Sequence, residues 1–168
     1  TAFRILRNLL QRLVLIEMNK QNLSELIDSL ESAVNETLEY FNNPGTDLNV
    51  QIDEWGHKEM LSHLVYWHRA SLKGMQSIVS GEGPFHIPES SDEMNSSIVA
   101  DLSDSSLSEI TSELRNLQAL LATTAANIPD PETIVFVRAN GESFSTAERL
   151  KHTASHWESH LTEFRKAS

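Results

Sequence analysis

The sequence predicts an all-α protein: a four-helix bundle with a long connection between its second and third helices. Apolar residues recur at helical spacing in four segments of about 20 residues each. Clusters of Pro, Gly and Asn separate these segments, and no part of the chain makes a convincing sheet. Four amphipathic helices of similar length bury their apolar faces most economically against one another.

The first two predicted helices lie in the first half of the chain. One runs from about Leu23 to Phe41, where the turn-forming stretch NNPGTD stops it. The next runs from about Gly56 to Ser80, with Gly81 as its predicted C-cap. Residues 81–103 then form the long connection, with one short helix around Glu93–Ala100. A connection of this length often carries function.

The last two predicted helices each begin at a capping box, a Ser followed three residues later by Glu. Ser106 opens a helix that runs to about Asn127, and Ser145 opens one that runs to about Lys166. Between them, TIVFV and NGESF predict a short extended piece with a turn.

Residues 1–17 differ in composition from the rest of the chain. They carry three arginines against the single acid Glu17, and MNKQNLSELIDSL follows from Met18. Three interpretations are open: a translated upstream stretch or cloning remnant, an amphipathic helix, or a targeting peptide. We therefore treat 1–17 as an extension of unclear origin and 18–168 as the bundle domain.

Composition limits the classes of function. The net charge of −11 argues against a nucleic-acid partner. No apolar run approaches the roughly 20 residues of a membrane span, so we expect no membrane partner. The chain has no cysteine, which fits a cytoplasmic location and excludes thiolate metal sites and a cysteine nucleophile. Any metal ligands must be His, Asp, Glu, carbonyls or water.

Histidine spacing in the last helix raises the question of a metal site. LKHTASHWESH places His152, His156 and His160 on one helical face, one turn apart. His156 and His160 can both face one ion, and a zinc-type site needs a third ligand from another element. His63, within the second helix, is the best candidate. The alternative is that these histidines belong to a solvated helix face or are hydrogen-bonded at the edge of the core.

The pattern EWGHKEMLSHLVYWHRASLKGM, followed by a last helix with HTASHWESHL, resembles the DinB/YfiT-like superfamily of four-helix-bundle metalloenzymes. The matching positions are Trp55, His63, and the pair His156 and His160, and the resemblance covers about 18–167. It implies that His63, His156 and His160 bind a divalent metal, zinc or nickel. Many members carry an HH-x-GQ-like stretch where this chain reads ESHLTEF. HLVYWHR and GEGP are also similar to the DfsB/ClbS-like branch.

The resemblance implies a bacterial, metal-dependent transferase or hydrolase that acts on a small electrophilic substrate. The metal would activate water or a low-molecular-weight thiol such as mycothiol, bacillithiol or glutathione. It also implies a homodimer. The alternative is a non-catalytic stress-response or binding bundle, either a DfsB/ClbS-like protective protein or one whose metal is structural. A metal-free bundle is the third interpretation.

The sequence offers further candidates around such a site. His152 could hydrogen-bond a metal ligand from outside, gate access to the site or simply be solvated. His57 and His68 are further histidines with the same alternatives. Glu158 and Glu163 are candidates for general acid–base catalysis or for hydrogen bonds to the metal ligands. Four aromatic residues could line a pocket, with core packing as the alternative: Trp55, Tyr66, Trp67 and Trp157. Arg69 and Arg138 could bind a substrate carboxylate, with a solvated surface position as the alternative.

Overall fold

A computed structural model describes residues 2–168 of the chain, with side chains from position 6 onward. These residues form five helices and three short strands. The helices are α1 (Ala2–Asn42), α2 (His57–Val79), α3 (Ser91–Asp101), α4 (Leu107–Ala125) and α5 (Thr146–Ala167). The strands are β1 (Phe85–His86), β2 (Ile134–Val137) and β3 (Ser143–Ser145). The protein is therefore mainly α, as predicted.

The four long helices share one core. α2 packs against α4 and α5, and α1 packs against the same two helices. Their inward faces carry the apolar residues whose spacing predicted them. The fully buried members include Leu30, Leu38, Leu61, Leu64, Leu114, Leu121 and Trp157. Within 6–168, no described helix is long and apolar enough to cross a membrane.

Capping boxes fix where the later helices begin. Ser106 Oγ accepts a hydrogen bond from the backbone N–H of Glu109, and the Glu109 carboxylate accepts the N–H of Ser106. Ser145 and Glu148 repeat this arrangement at the start of α5. Both boxes were predicted. The start of α3 has a third box, formed by Ser90 and Glu93.

A small sheet corrects the prediction that no part of the chain makes a convincing sheet, while β2 and β3 confirm the extended piece with a turn predicted at TIVFV and NGESF. β2 and β3 form an antiparallel hairpin, and β1 pairs with β2 in parallel, in the order β1-β2-β3. The hairpin turn uses Gly141 at φ 87°. Gly74 of α2 lets the sheet approach closely, because a Cβ there would lie 2.4 Å from the Val135 carbonyl oxygen. The strands are too short for a recognisable alternation of polar and apolar residues.

The long connection and the first helix also differ from expectation. Residues 81–103 contain β1 and the whole of α3, which is longer than the predicted short helix. α1 begins at Ala2 rather than near Leu23 and runs through positions 17 and 18 without a break. The described side chains from Leu6 to Met18 are exposed. The division of the chain at residue 18 stays a prediction.

Deleting residues 1–17 should leave the body of the protein intact. Exposed side chains contribute little to the free energy of unfolding, so we expect the melting temperature to change by less than about 3 °C. In the matched control, Leu30→Ala should destabilise the protein by about 2–5 kcal/mol, because Leu30 is fully buried. Thermal unfolding followed by circular dichroism checks both. A large loss of stability in the truncated protein would show that the extension packs on the body.

Candidate metal centre

Three histidines converge where the first half of α2 faces the second half of α5. Nε2 of His156 lies 2.9 Å from Nε2 of His63 and 3.0 Å from Nε2 of His160. One ligand atom from each of the three rings lies within 4.8 Å of the others. His63 is only 5% exposed, and the other two are half-buried. The structure thus brings together the three residues that the sequence selected as metal ligands.

The spacing of these nitrogens suits a small divalent ion. Zinc binds imidazole nitrogen at about 2.0–2.1 Å, which places tetrahedral nitrogen ligands about 3.3 Å apart. The observed separations of 2.9 and 3.0 Å are a few tenths of an ångström shorter. Small rotations of the rings therefore open the triad enough for an ion. Imidazole nitrogens this close must share either a proton or a cation.

Asn95 of α3 fixes the orientation of His63. Its Oδ1 lies 2.7 Å from His63 Nδ1 and 3.1 Å from Trp67 Nε1. An indole N–H can only donate, so the atom that it contacts is an acceptor. His63 therefore donates from Nδ1 to the same oxygen, which leaves the lone pair of Nε2 directed at the centre. Outer partners of this kind set the tautomer of metal-binding histidines.

Glu163 acts on His160 in the same way. Its Oε2 lies 3.2 Å from His160 Nδ1. A carboxylate accepts and does not donate, so His160 carries its proton on Nδ1 and presents Nε2 to the centre. One of the two glutamates considered from sequence thus contacts a histidine of the triad. The other, Glu158, is exposed.

The surroundings of His63 and His156 keep these two imidazoles uncharged at neutral pH. Burial lowers the pKa of His63 to about 4, against the opposing effect of its hydrogen bond to Asn95. Burial, together with the neighbouring histidines, lowers the pKa of His156 to about 2. A neutral imidazole is the form that binds metal, so protons compete poorly for these two residues.

The other histidines lie outside the triad. His68 is fully buried, where it accepts a hydrogen bond from Trp157 Nε1 and faces Gln118 Oε1 at 2.9 Å. His152 lies 3.3 Å from an Arg138 nitrogen, and His86 is exposed on β1. His57 lies 3.0 Å from the Leu48 carbonyl oxygen. None of the four joins the cluster of ligand atoms found within the described part of the chain.

The aromatic and basic candidates divide between core and surface. Trp157 and Trp67 are buried, whereas Trp55 is half-buried with its ring 5.0 Å from that of His63. Tyr66 lines a separate cavity beside Arg69. Arg69 pairs with Glu113 and Arg138 with Glu142, so both arginines already have acidic partners.

A cavity of about 590 Å³ opens beside the triad. His160 and Asn95 form part of its wall, together with Trp55 from the turn before α2. Sequence reasoning missed Asn95 because a single Asn in a connection has no spacing signal. The length of that connection was the only indication that it contributes to function.

Together, the fold and the site define a mainly helical protein with a histidine cluster beside an open cavity. No model of a protein family matches the chain, and no curated protein matches it. Among solved structures, an uncharacterised protein from Escherichia coli UTI89 is similar in fold. Its TM-score is 0.66 at 15% identity, and the match covers 89% of this chain and 92% of that one. This likeness concerns the fold alone.

A mycothiol-dependent maleylpyruvate isomerase has the same fold over part of its length. The TM-score is 0.65 at 16% identity, and the match covers 86% of this chain and 60% of the isomerase chain. Identity this low carries the fold and not the activity.

Removing the Asn95 side chain should weaken metal binding without removing a ligand. Loss of an outer partner typically costs 10–100-fold in affinity, so we expect about that loss in Asn95→Ala. Asn95→Asp keeps an acceptor and should retain most of the affinity. Ser96→Ala, on the same helix, is the control and should match wild type. Competition with a chromophoric zinc chelator measures all four proteins. Equal affinity in Asn95→Ala and wild type would show that Asn95 does not orient His63.

Burial of His68 should make stability depend on pH. Its pKa falls from 6.5 to about 4 on folding, chiefly because of burial. Between those values the unfolded chain binds a proton that the folded protein does not, so stability is lost as the pH falls from 6.5 towards 4. One such group contributes a slope of up to about 1.4 kcal/mol per pH unit.

Urea denaturation at pH 7, 6 and 5 measures this slope. His68→Gln should be less stable at pH 7 but should lose stability less steeply on acidification. His86→Gln is the matched control, because that side chain is exposed to solvent in the folded protein as well. The same slope in wild type and His68→Gln would contradict the assignment.

Proposed function

We propose that this protein is a metal-dependent transferase or hydrolase that acts on a small electrophilic molecule. His63, His156 and His160 hold one divalent ion, zinc or nickel. The observation that carries the proposal is the convergence of three Nε2 atoms from two helices, separated by 2.9 and 3.0 Å along the triad. The identities of these residues match the DinB/YfiT-like pattern, and the protein is proposed to be a four-helix bundle of that superfamily.

The state and orientation of the imidazoles favour the binding of a metal ion over the binding of a proton. Two of its imidazoles have lowered pKa values, and two have outer acceptors that turn Nε2 towards the centre. Fixing the rings in advance reduces the entropy lost when an ion binds. Solvated histidines on a helix face would have neither property, which favours the metal site over the metal-free interpretation.

Open coordination supports catalysis over a structural metal. Within the described residues the cluster contains three ligands, while structural zinc sites are generally closed by four. Glu163 points its carboxylate at His160 Nδ1, and so acts as an outer partner. An ion held by the three histidines would keep a position for an exogenous ligand, and the cavity lined by His160 would give access to it. A divalent ion supplies Lewis-acid chemistry there: it lowers the pKa of a bound water or thiol and polarises a carbonyl.

The chain has no cysteine, so a thiol nucleophile must come from outside it. The solved neighbour is described as mycothiol-dependent, and this supports a low-molecular-weight thiol as co-substrate. The chain's own contribution is to hold and orient. Asn95 and Glu163 fix two ligand rings, while Trp55 and Phe164 give the cavity apolar walls beside His160. A homodimer in the bacterial cytoplasm, without nucleic acid or membrane partners, remains a prediction.

Elemental analysis of protein purified without a histidine tag tests the proposal. We expect about one divalent ion per chain, and its loss in the His63→Ala/His156→Ala double variant. His86→Ala changes an exposed histidine and should retain the ion. Saturation with zinc at about 100 times the dissociation constant should stabilise the wild type by about 2.7 kcal/mol, which a thermal shift detects.

Failure of zinc, nickel and cobalt to bind or to raise the melting temperature of the wild type would rule out the metal-dependent activity. A closed site that binds metal but no exogenous ligand would favour the structural alternative.

A further inference from the structure

The cavity beside the histidine triad has walls of two kinds. Apolar side chains contribute part of the lining: Ile52, Trp55, Met60 and Phe164. The remaining lining residues are polar or charged, and His160 of the triad is among them. A molecule that reaches the triad through this cavity therefore contacts both apolar and polar or charged side chains.

The charged residues of this cavity all have one sign. Asp53 and Glu54 come from the turn before α2, Asp92 from α3 and Glu163 from α5. No lysine or arginine is among the residues that line it, all of which belong to the described chain. Three separate elements of the fold thus bring carboxylates to one opening.

The other large cavities of the body have mixed charge. The cavity of about 530 Å³ between α2 and α3 is lined by Arg69 and Lys73 as well as by Glu89 and Asp101. A smaller one, of about 230 Å³, combines Arg138 with Glu89. The high overall acidity of the chain therefore does not by itself make its cavities uniformly acidic. Of these three cavities, the one at the triad alone has charged lining residues of a single sign.

We propose that this cavity selects its small-molecule ligands by charge, favouring thiols and electrophiles that bear an ammonium or other cationic group over anionic ones. The inference rests on the proposed function and specifies its substrate class. Four carboxylates within one opening outnumber the two positive charges that a divalent ion on neutral imidazoles would add. They attract a cation and repel an anion, and the effect adds over the four. Trp55 also lines the cavity, and an indole ring attracts a cationic group that lies over its face.

The selection has a direct consequence for the co-substrate. Glutathione carries a net negative charge at neutral pH, because it has two carboxylates and one ammonium. The cavity disfavours such a thiol and accepts neutral or cationic thiols more readily. The electrophile is subject to the same selection if it enters by the same opening.

Cobalt-loaded protein and three small thiols of similar size test the inference. The thiols are cysteamine, which is cationic, 2-mercaptoethanol, which is neutral, and 3-mercaptopropionate, which is anionic. Each binds cobalt as a thiolate and releases its proton to the buffer, and the sulfur-to-cobalt absorption band reports binding. We expect cysteamine to bind at least about 10-fold more tightly than 3-mercaptopropionate at low ionic strength.

The thiols differ in their own acidity, so the decisive quantity is how this affinity ratio changes between proteins. Asp53→Asn/Glu54→Gln/Asp92→Asn should reduce the ratio several-fold, because it removes three charges from the cavity and leaves the thiols unchanged. Glu163 is kept, since it orients His160. The control Asp28→Asn/Glu31→Gln/Glu39→Gln removes three exposed charges from α1 and should keep the wild-type ratio.

Salt provides a second measurement on the unmodified protein. Raising the ionic strength from about 0.02 to 0.5 M should also reduce the ratio, because screening shortens the reach of the carboxylates. A ratio that neither the cavity variant nor salt changes would overturn the charge selection while leaving the metal site in place. Failure of the wild type to take up cobalt would overturn the proposed function, and this inference with it.

Discussion

The packing of α5 against α2 is the constraint on which the candidate site depends. Polar contacts along this seam join His63 to His156, His68 to Trp157, and Ser71 to Arg149. The helices run antiparallel, since Ser71 lies beyond His63 on α2 while its partner Arg149 precedes His156 on α5. A slip of one residue would break all three contacts at once. The same register that buries Trp157 therefore holds the histidine nitrogens together.

The buried side chain of Arg149 links the interface between α2 and α5 to the small sheet. Its side chain is fully buried, and among the described residues no carboxylate pairs with it. Its guanidinium donates to Ser71 Oγ and to the Trp67 carbonyl oxygen, and it lies 4.3 Å from the centre of the Phe136 ring. Burial lowers its pKa to about 9, so it still carries its charge at neutral pH. Phe136 belongs to β2, which can approach α2 only because residue 74 is glycine. The sheet thus helps to stabilise the cation that sets the register of α5.

The parts of this structure that the sequence predicted are those with a local signal. Helical periodicity and capping boxes gave the ends of α2, α4 and α5 within one or two residues. The HxxxH spacing, with the resemblance built on Trp55 and His63, selected the three histidines that meet. The short extended piece with a turn was predicted at TIVFV and NGESF, where β2 and β3 lie. The pairing of β2 with β1 was missed because the two strands have four and two residues and lie about 50 positions apart in the chain. Asn95 and three of the cavity carboxylates, Asp53, Glu54 and Asp92, were missed for the same kind of reason: their roles depend on which elements meet in space, and a single sequence does not record that.

The central claim is that three imidazoles hold one ion with a position left for an exogenous ligand. X-ray absorption spectroscopy of the tag-free, zinc-loaded protein tests it most directly, because the method counts imidazole ligands and measures their distances. The account predicts three imidazole nitrogens at about 2.0–2.1 Å and one further light atom. A small thiol should replace that atom with sulfur at about 2.3 Å. A spectrum with no more than one imidazole, or one that a thiol leaves unchanged because four protein ligands close the site, would contradict the account.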